Sequence, residues 1–125
     1  MQLGTGFVVT KESQVHENYK NSIIKAKDID SRVTGRSTGH PVRVLRNQLA
    51  KEYIKKEQEG ATSEELEQMT LGGLRRAVVD GDVVTGSVMA GQSAAMFKEV
   101  LTCKEFIEKL VSETDALIKG AGFYE

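Results

Sequence analysis

The sequence contains one cysteine, Cys103, and one proline, Pro41. A lone thiol cannot make an internal disulfide, and nothing around Cys103 has metal-ligand spacing. Charge of either sign is not in excess: 17 basic side chains face 18 acidic ones. A formal charge of −1 provides no whole-molecule field to draw in nucleic acid or an anionic membrane. No apolar run approaches the ~20 residues needed to span a bilayer. No basic-then-apolar segment stands before a cleavage site, so a soluble cytoplasmic chain is the expectation. With 125 residues, 39% of them hydrophobic, the chain has the size of one ordinary domain. Such a chain can bury roughly two thirds of its unfolded surface. Glycine is the one residue in marked supply, 12 copies against the single proline.

Leu3, Phe7, Val8 and Val9 among small residues predict a short strand over 2–9, buried on both faces. No second clear strand run follows, so its sheet neighbours are expected from outside this sequence. Helical spacing of Val15, Tyr19, Ile23 and Ala26 predicts a helix over 15–27. Residues 28–40 read as an irregular connection with a short extended piece at 31–34. From Pro41, Val42, Leu45, Leu49 and Tyr53 form one stripe, which predicts a helix that Gly60 stops. Thr62 to Glu65 fits a capping box at the start of a further helix, interrupted at Gly72-Gly73. Residues 80–86 read as a turn, and 87–97 as a compact helix of small residues. Thr102 to Glu105 is a second capping box, opening a last helix that ends at Gly120 and Gly122. The tally is one strand and four or five helices.

Three stretches carry candidate chemistry. Gly4-Thr5-Gly6 offers unobstructed backbone N–H groups and a hydroxyl, as a phosphate cradle requires; equally, small residues of this kind simply turn a strand end. Gly4-Thr5-Gly6 lacks the Gly-Lys-Ser/Thr ending of a Walker loop and the full dinucleotide fingerprint. "TGRSTGHPVRVLRN" (34–47), with Arg32 just before it, gathers Arg36, Arg43 and Arg46 around His40. Arginines there either grip phosphate or carboxylate, or line a solvated helix face. "GSVMAGQSAAM" (86–96) is uncharged over its length, suiting either a flat ligand or a tightly packed internal helix. Met89 and Met96 fit core filling as readily as a cofactor wall. No Ser/His/Asp or Cys/His set follows from residue order.

In order, "QLGTGFVVTKES", "HENYKNSIIKAKDID", "TGRSTGHPVRVLRNQL" and "GDVVTGSVMAGQSAAM" closely resemble the C-terminal portion of a known family. These are the flavin-dependent enoyl-(acyl-carrier-protein) reductase II enzymes, which belong with the nitronate monooxygenases (2-nitropropane dioxygenases). The resemblance covers nearly the whole chain, the last helix least specifically. It implies an α/β fold: the C-terminal part of a (β/α)8 barrel plus a helical lid, with this stretch itself mostly helical. Residues 1–27 would be the last barrel strand and its helix. Residues 28–85 would be the lid, and 86–125 the return to the barrel and the C-terminal helix.

The resemblance also implies FMN as cofactor and NADH or NADPH as reductant. Gln2, Leu3, Gly4 and Thr5 match the segment that holds the FMN phosphate, as expected after barrel strands seven and eight. Met89, Gly91 and Gln92 would wall the flavin or substrate, and Arg36, His40 and Arg43 are candidates for substrate binding. The implied partners are an acyl-carrier-protein thioester or a small nitronate, with no nucleic acid or membrane, and a homodimeric full-length parent. Two departures stand out. Gly6 replaces the family's usual Arg or Ala, and the catalytic histidine has no counterpart, since neither His16 nor His40 matches its position. No catalytic residue is therefore assigned in this chain. A truncated product, a split reading frame or an expressed fragment is the expectation. The functions open at this point are the reductase, the nitronate monooxygenase and a non-catalytic helical interaction module.

Overall fold

The computed structural model describes residues 3–124 of the chain. Its first element corrects the sequence expectation: residues Thr5–Val8 form a single helical turn, α1, not part of a strand. Among the described residues no strand pairs with these residues to accept a ladder of hydrogen bonds. Coiling instead lets the Phe7 and Val8 N–H groups donate to the Gly4 carbonyl. It also brings the Phe7 ring edge-on to Phe106, with centroids 5.1 Å apart, and sends Val9 into the core. Gly6 makes room for this packing: a Cβ would stand 2.5 Å from the tip of the Phe106 ring, which would have to shift to accept it.

Helix α2 covers Glu17–Lys25, within the segment predicted. His16 caps it, its Nδ1 accepting from the Asn18 N–H at 3.1 Å. The extended piece expected at 31–34 is strand β1, Ser31–Thr34. Its partner is β2, Val42–Leu45, antiparallel, with Ser31 opposite Leu45 and Thr34 opposite Val42. This is the second correction, since 42–45 was expected to be helical. Val42 and Val44 alternate as a strand requires while Val42 and Leu45 keep helical spacing, and pairing with β1 decides for the strand. The region expected to be a helical lid therefore begins with a β-hairpin.

Helix α3, Gln48–Gln58, starts only after Asn47, whose side chain accepts from the Ala50 N–H at 2.9 Å. Gly60, at φ +83°, follows its end. Helix α4, Ser63–Thr70, opens on the expected capping box: Thr62 accepts from the Glu65 N–H, and Glu65 from the Thr62 N–H. Gly72, left-handed at φ +68°, separates it from α5, Gly73–Val78. Helix α6, Cys103–Gly120, opens on the second capping box, Thr102 with Glu105. No helix among the described residues is long and apolar enough to cross a membrane.

A third correction concerns 87–97. Residues 88–90 run extended beside β2, not as a helix: the Leu45 N–H donates to the Val88 carbonyl, and the Ala90 N–H to that of Arg43. Only Gln92–Met96 coils, as a 3-10 helix. The exposed edge of β2 supplies partners that a helix would have left unused. The core closes on this strip, with Ile23, Ala77 and Val88 fully buried between α2, α5 and the hairpin.

Candidate functional site

The two small-residue stretches singled out in the sequence meet. The Gly91 N–H donates to the Thr5 hydroxyl at 2.9 Å, across 86 residues of chain. Thr5 uses a lone pair in this bond, so its own O–H remains free to donate. The Thr5 and Gly6 N–H groups, at the start of α1, donate to no backbone carbonyl among the described residues. Gly4 beside them is exposed, with open space where a Cβ would stand. The Thr5 N–H and hydroxyl are thus left as donors beside the exposed Gly4 at the start of a helical turn, groups of the kind an anion requires, while Gly6 behind them is buried.

The strip leading to Gly91 is fixed from below. The buried Tyr19 on α2 donates its phenol O–H to the Met89 carbonyl at 2.7 Å. Burial pushes the pKa of that phenol above its ordinary value. Met89 lies in the extended strip opposite Val44 and is 38% exposed, large for a side chain flanked by the buried Val88 and Ala90. It lines a cavity of about 560 Å³ between the hairpin loop and helices α3 and α4, with His40, Thr38, Tyr53 and Glu67 among the other walls. The loop is pinned over this cavity by Glu57 of α3, whose carboxylate accepts from the Ser37 N–H (2.9 Å) and hydroxyl (2.8 Å). Burial, with the Glu57 charge nearby, raises the Tyr53 pKa.

Sequence comparison decides the family. The family model for nitronate monooxygenase matches residues 1–113. The chain belongs to the nitronate monooxygenase family. Among solved structures it is similar to FabK from Thermotoga maritima, at 42% identity and a TM-score of 0.92, over 99% of this chain and 39% of that one. The M276A mutant of that FabK matches at 39% identity and a TM-score of 0.82, over 99% and 37%. A nitroalkane oxidase from Streptomyces ansochromogenes shares the fold at 24% identity and a TM-score of 0.71, over 96% and 34%. A curated relative, a probable nitronate monooxygenase from Staphylococcus saprophyticus, is 25% identical over 118 residues. That match takes in 94% of this chain and spans 33% of the relative's length.

Within this family member, the candidate residues divide into groups. Thr5 and Gly91 are joined directly, with Gly4 and the exposed Gln92 flanking them in the chain. Met89 and His40 share the cavity wall. Leu3 instead lines an apolar groove against Phe97 and Phe106. Arg36 and Arg43 are absent from the cavity lining: Arg36 is exposed at the hairpin turn, and Arg43 donates to the Ser31 hydroxyl at 2.8 Å. Gln2 lies outside the described residues. Sequence reasoning missed Tyr19 and Asn47 as supports of the site. Asn47 caps α3 and also donates its Nδ2 to the Val83 and Gly86 carbonyls, at 2.8 and 2.7 Å. Asn47 before a helical stripe was a readable cap, but its bonds to residues 83 and 86 had no local signal.

Proposed function

We propose that this chain forms the phosphate end and one wall of the FMN site in a (β/α)8-barrel flavoenzyme, an enoyl-acyl-carrier-protein reductase drawing on NADH or NADPH. The observation that carries this reading is the Thr5–Gly91 hydrogen bond, which unites two stretches expected at one cofactor. The residues present fit the phosphate. A short helix at the phosphate is the form this site takes after the last strands of such barrels, so α1, whose Thr5 and Gly6 N–H groups meet no backbone carbonyl among the described residues, supports the reading.

Gly4 and Thr5 would hold the phosphate through backbone N–H groups and the Thr5 hydroxyl. Met89, Gly91 and Gln92 would stand along the cofactor. The chemistry a flavin supplies when bound is transfer of a hydride equivalent from a reduced nicotinamide to the β-carbon of an enoyl thioester. The chain's own contribution is to bind and orient: Tyr19 keeps the Met89 backbone in place, and the hairpin loop with α3 and α4 covers the cavity as a lid. His40, one of the polar side chains of that lid with Thr38, Tyr53 and Glu67, would meet substrate in this reading.

Likeness to FabK at 42% identity favours the reductase over the nitronate monooxygenase activity, the second reading. In the full-length enzyme, Thr5→Val is expected to weaken FMN binding about tenfold, the size of one strong hydrogen bond, while Thr5→Ser retains it. Assays of NAD(P)H-dependent crotonyl-thioester reduction and of oxygen uptake with a nitronate separate the activities. Turnover of the nitronate alone overturns the reductase reading. A colourless protein that takes up no FMN returns the chain to a non-catalytic interaction module.

A further inference from the structure

The positive charge that the sequence spreads over 32–55 is gathered by the fold into one groove. Arg32 on β1, Arg46 after β2, and Lys51 and Lys55 on α3 line a depression of about 240 Å³, with Ile54 and Ala50 as its apolar lining and no carboxylate in its wall. In a chain with 17 basic and 18 acidic side chains, four cations and no acid around one concavity is a local concentration. Its neutralisation is partial. Arg46 meets Asp30 at 3.5 Å and Lys55 meets Glu59 at 3.9 Å, whereas Lys51 has no ion pair among the described residues. Arg32 is held ready, its guanidinium donating to the Ile29 and Ser31 carbonyls. Lys51, Ile54, Lys55 and Gln58 follow the i, i+3, i+4, i+7 pattern of one helix face. Tyr53, on another face of α3, lines the His40 and Met89 cavity.

We propose that this groove docks an acidic protein surface, with Ile54 as the apolar centre of a basic rim. Resting on the reductase reading, the occupant is the carrier protein that delivers the enoyl thioester. Charge complementarity supplies steering and register, and one small apolar contact suits a partner that must leave after each turnover. Helix α3 is the partition between groove and cavity. A thioester tethered to a partner in the groove has about one helix diameter, ~10 Å, to cross.

The test uses the full-length FMN-loaded enzyme and the double variant Lys51→Glu/Lys55→Glu, with Lys51→Arg/Lys55→Arg as the charge-retaining control. Three forms of one crotonyl group are compared: on carrier protein, on coenzyme A, and on uncharged N-acetylcysteamine. The expected result is a loss of about tenfold in kcat/KM for the carrier-bound form alone, lying in KM and flattening its salt dependence. The arginine variant should behave as wild type. Equal losses on carrier and coenzyme A would mean that the groove reads phosphate and would overturn a protein-docking surface. An unchanged carrier-bound kcat/KM would overturn it as well. If no thioester is reduced, the reductase reading fails, and titration of the carrier protein itself still decides the docking. Salt-sensitive binding lost in the glutamate variant upholds an acidic partner; absence of binding rejects it.

Discussion

Helix α6 and the segment 80–97 are of similar length and are built on opposite terms. Helix α6 is regular from Cys103 to Gly120, opens on its own capping box, and carries a Lys104–Glu108 pair one turn apart. Yet Leu117 and Ile118 are 75% and 67% exposed. Segment 80–97 has almost no regular structure, yet Gly81, Gly86, Val88, Ala90 and Ala94 are buried. Its backbone groups are satisfied from outside, by Asn47, Leu45, Gly73, Tyr19 and Thr5. Regularity and structural importance are therefore separate properties here. A helix can supply its own hydrogen bonds and remain peripheral, whereas an irregular strip stays buried only if the rest of the chain meets its polar groups.

Substitutions should separate the two regions. Gly86→Ala is expected to cost most, about 3 kcal/mol, because its Cβ would stand 2.2 Å from the Asp82 carbonyl oxygen and 2.7 Å from the Ala77 nitrogen. Urea unfolding measures the loss, and a cost below about 1 kcal/mol would mean that the turn yields easily. Asn47→Ala should cost about 2 kcal/mol, combining a lost cap with two carbonyls that lose their donor. Asn47→Asp sharpens that test: it keeps the acceptor for Ala50 but turns a carboxylate oxygen on Val83 and Gly86, so it should recover little.

Tyr19→Phe should cost about 1 kcal/mol by removing the bond to Met89. It also changes the alkaline limb of stability. Because the folded phenol has a raised pKa, its contribution is complete below the ordinary value of 10.0 and is lost as pH rises through the folded value. The wild type should thus weaken above pH 10.0 more steeply than the variant, as thermal melts across that range would register. Leu117→Lys, in the exposed half of α6, should change stability by no more than about 0.5 kcal/mol. A larger loss would show that this face is covered and would weaken the contrast.

The same contrast explains what could be read in advance. Both Thr-x-x-Glu capping boxes, the break at Gly72 and the end at Gly60 were legible because each is settled within four or five residues. The helix expected from Pro41 was not, because Val42, Leu45, Leu49 and Tyr53 keep helical spacing while belonging to two elements. All four still face inward to some degree, so burial was read correctly where element type was not. The candidate site was half legible: its small-residue stretches were visible, but their meeting was not. Nor could the sequence tell that His40 would share a cavity with Met89 while Arg36 and Arg43 would not.

By itself the sequence determined the nearly balanced charge, the caps and stops of its helices, and the motif order by which the family is known. Those depend on residue identity and on neighbours a few positions away. Only the tertiary structure decided that residues 5–8 coil, that 88–90 lie extended beside β2, and that Thr5 meets Gly91. The reason is physical: a short stretch of small or β-branched residues has no strong backbone preference of its own. Its conformation is set by whichever distant N–H, carbonyl or ring can complete its hydrogen bonds and fill its side of the core.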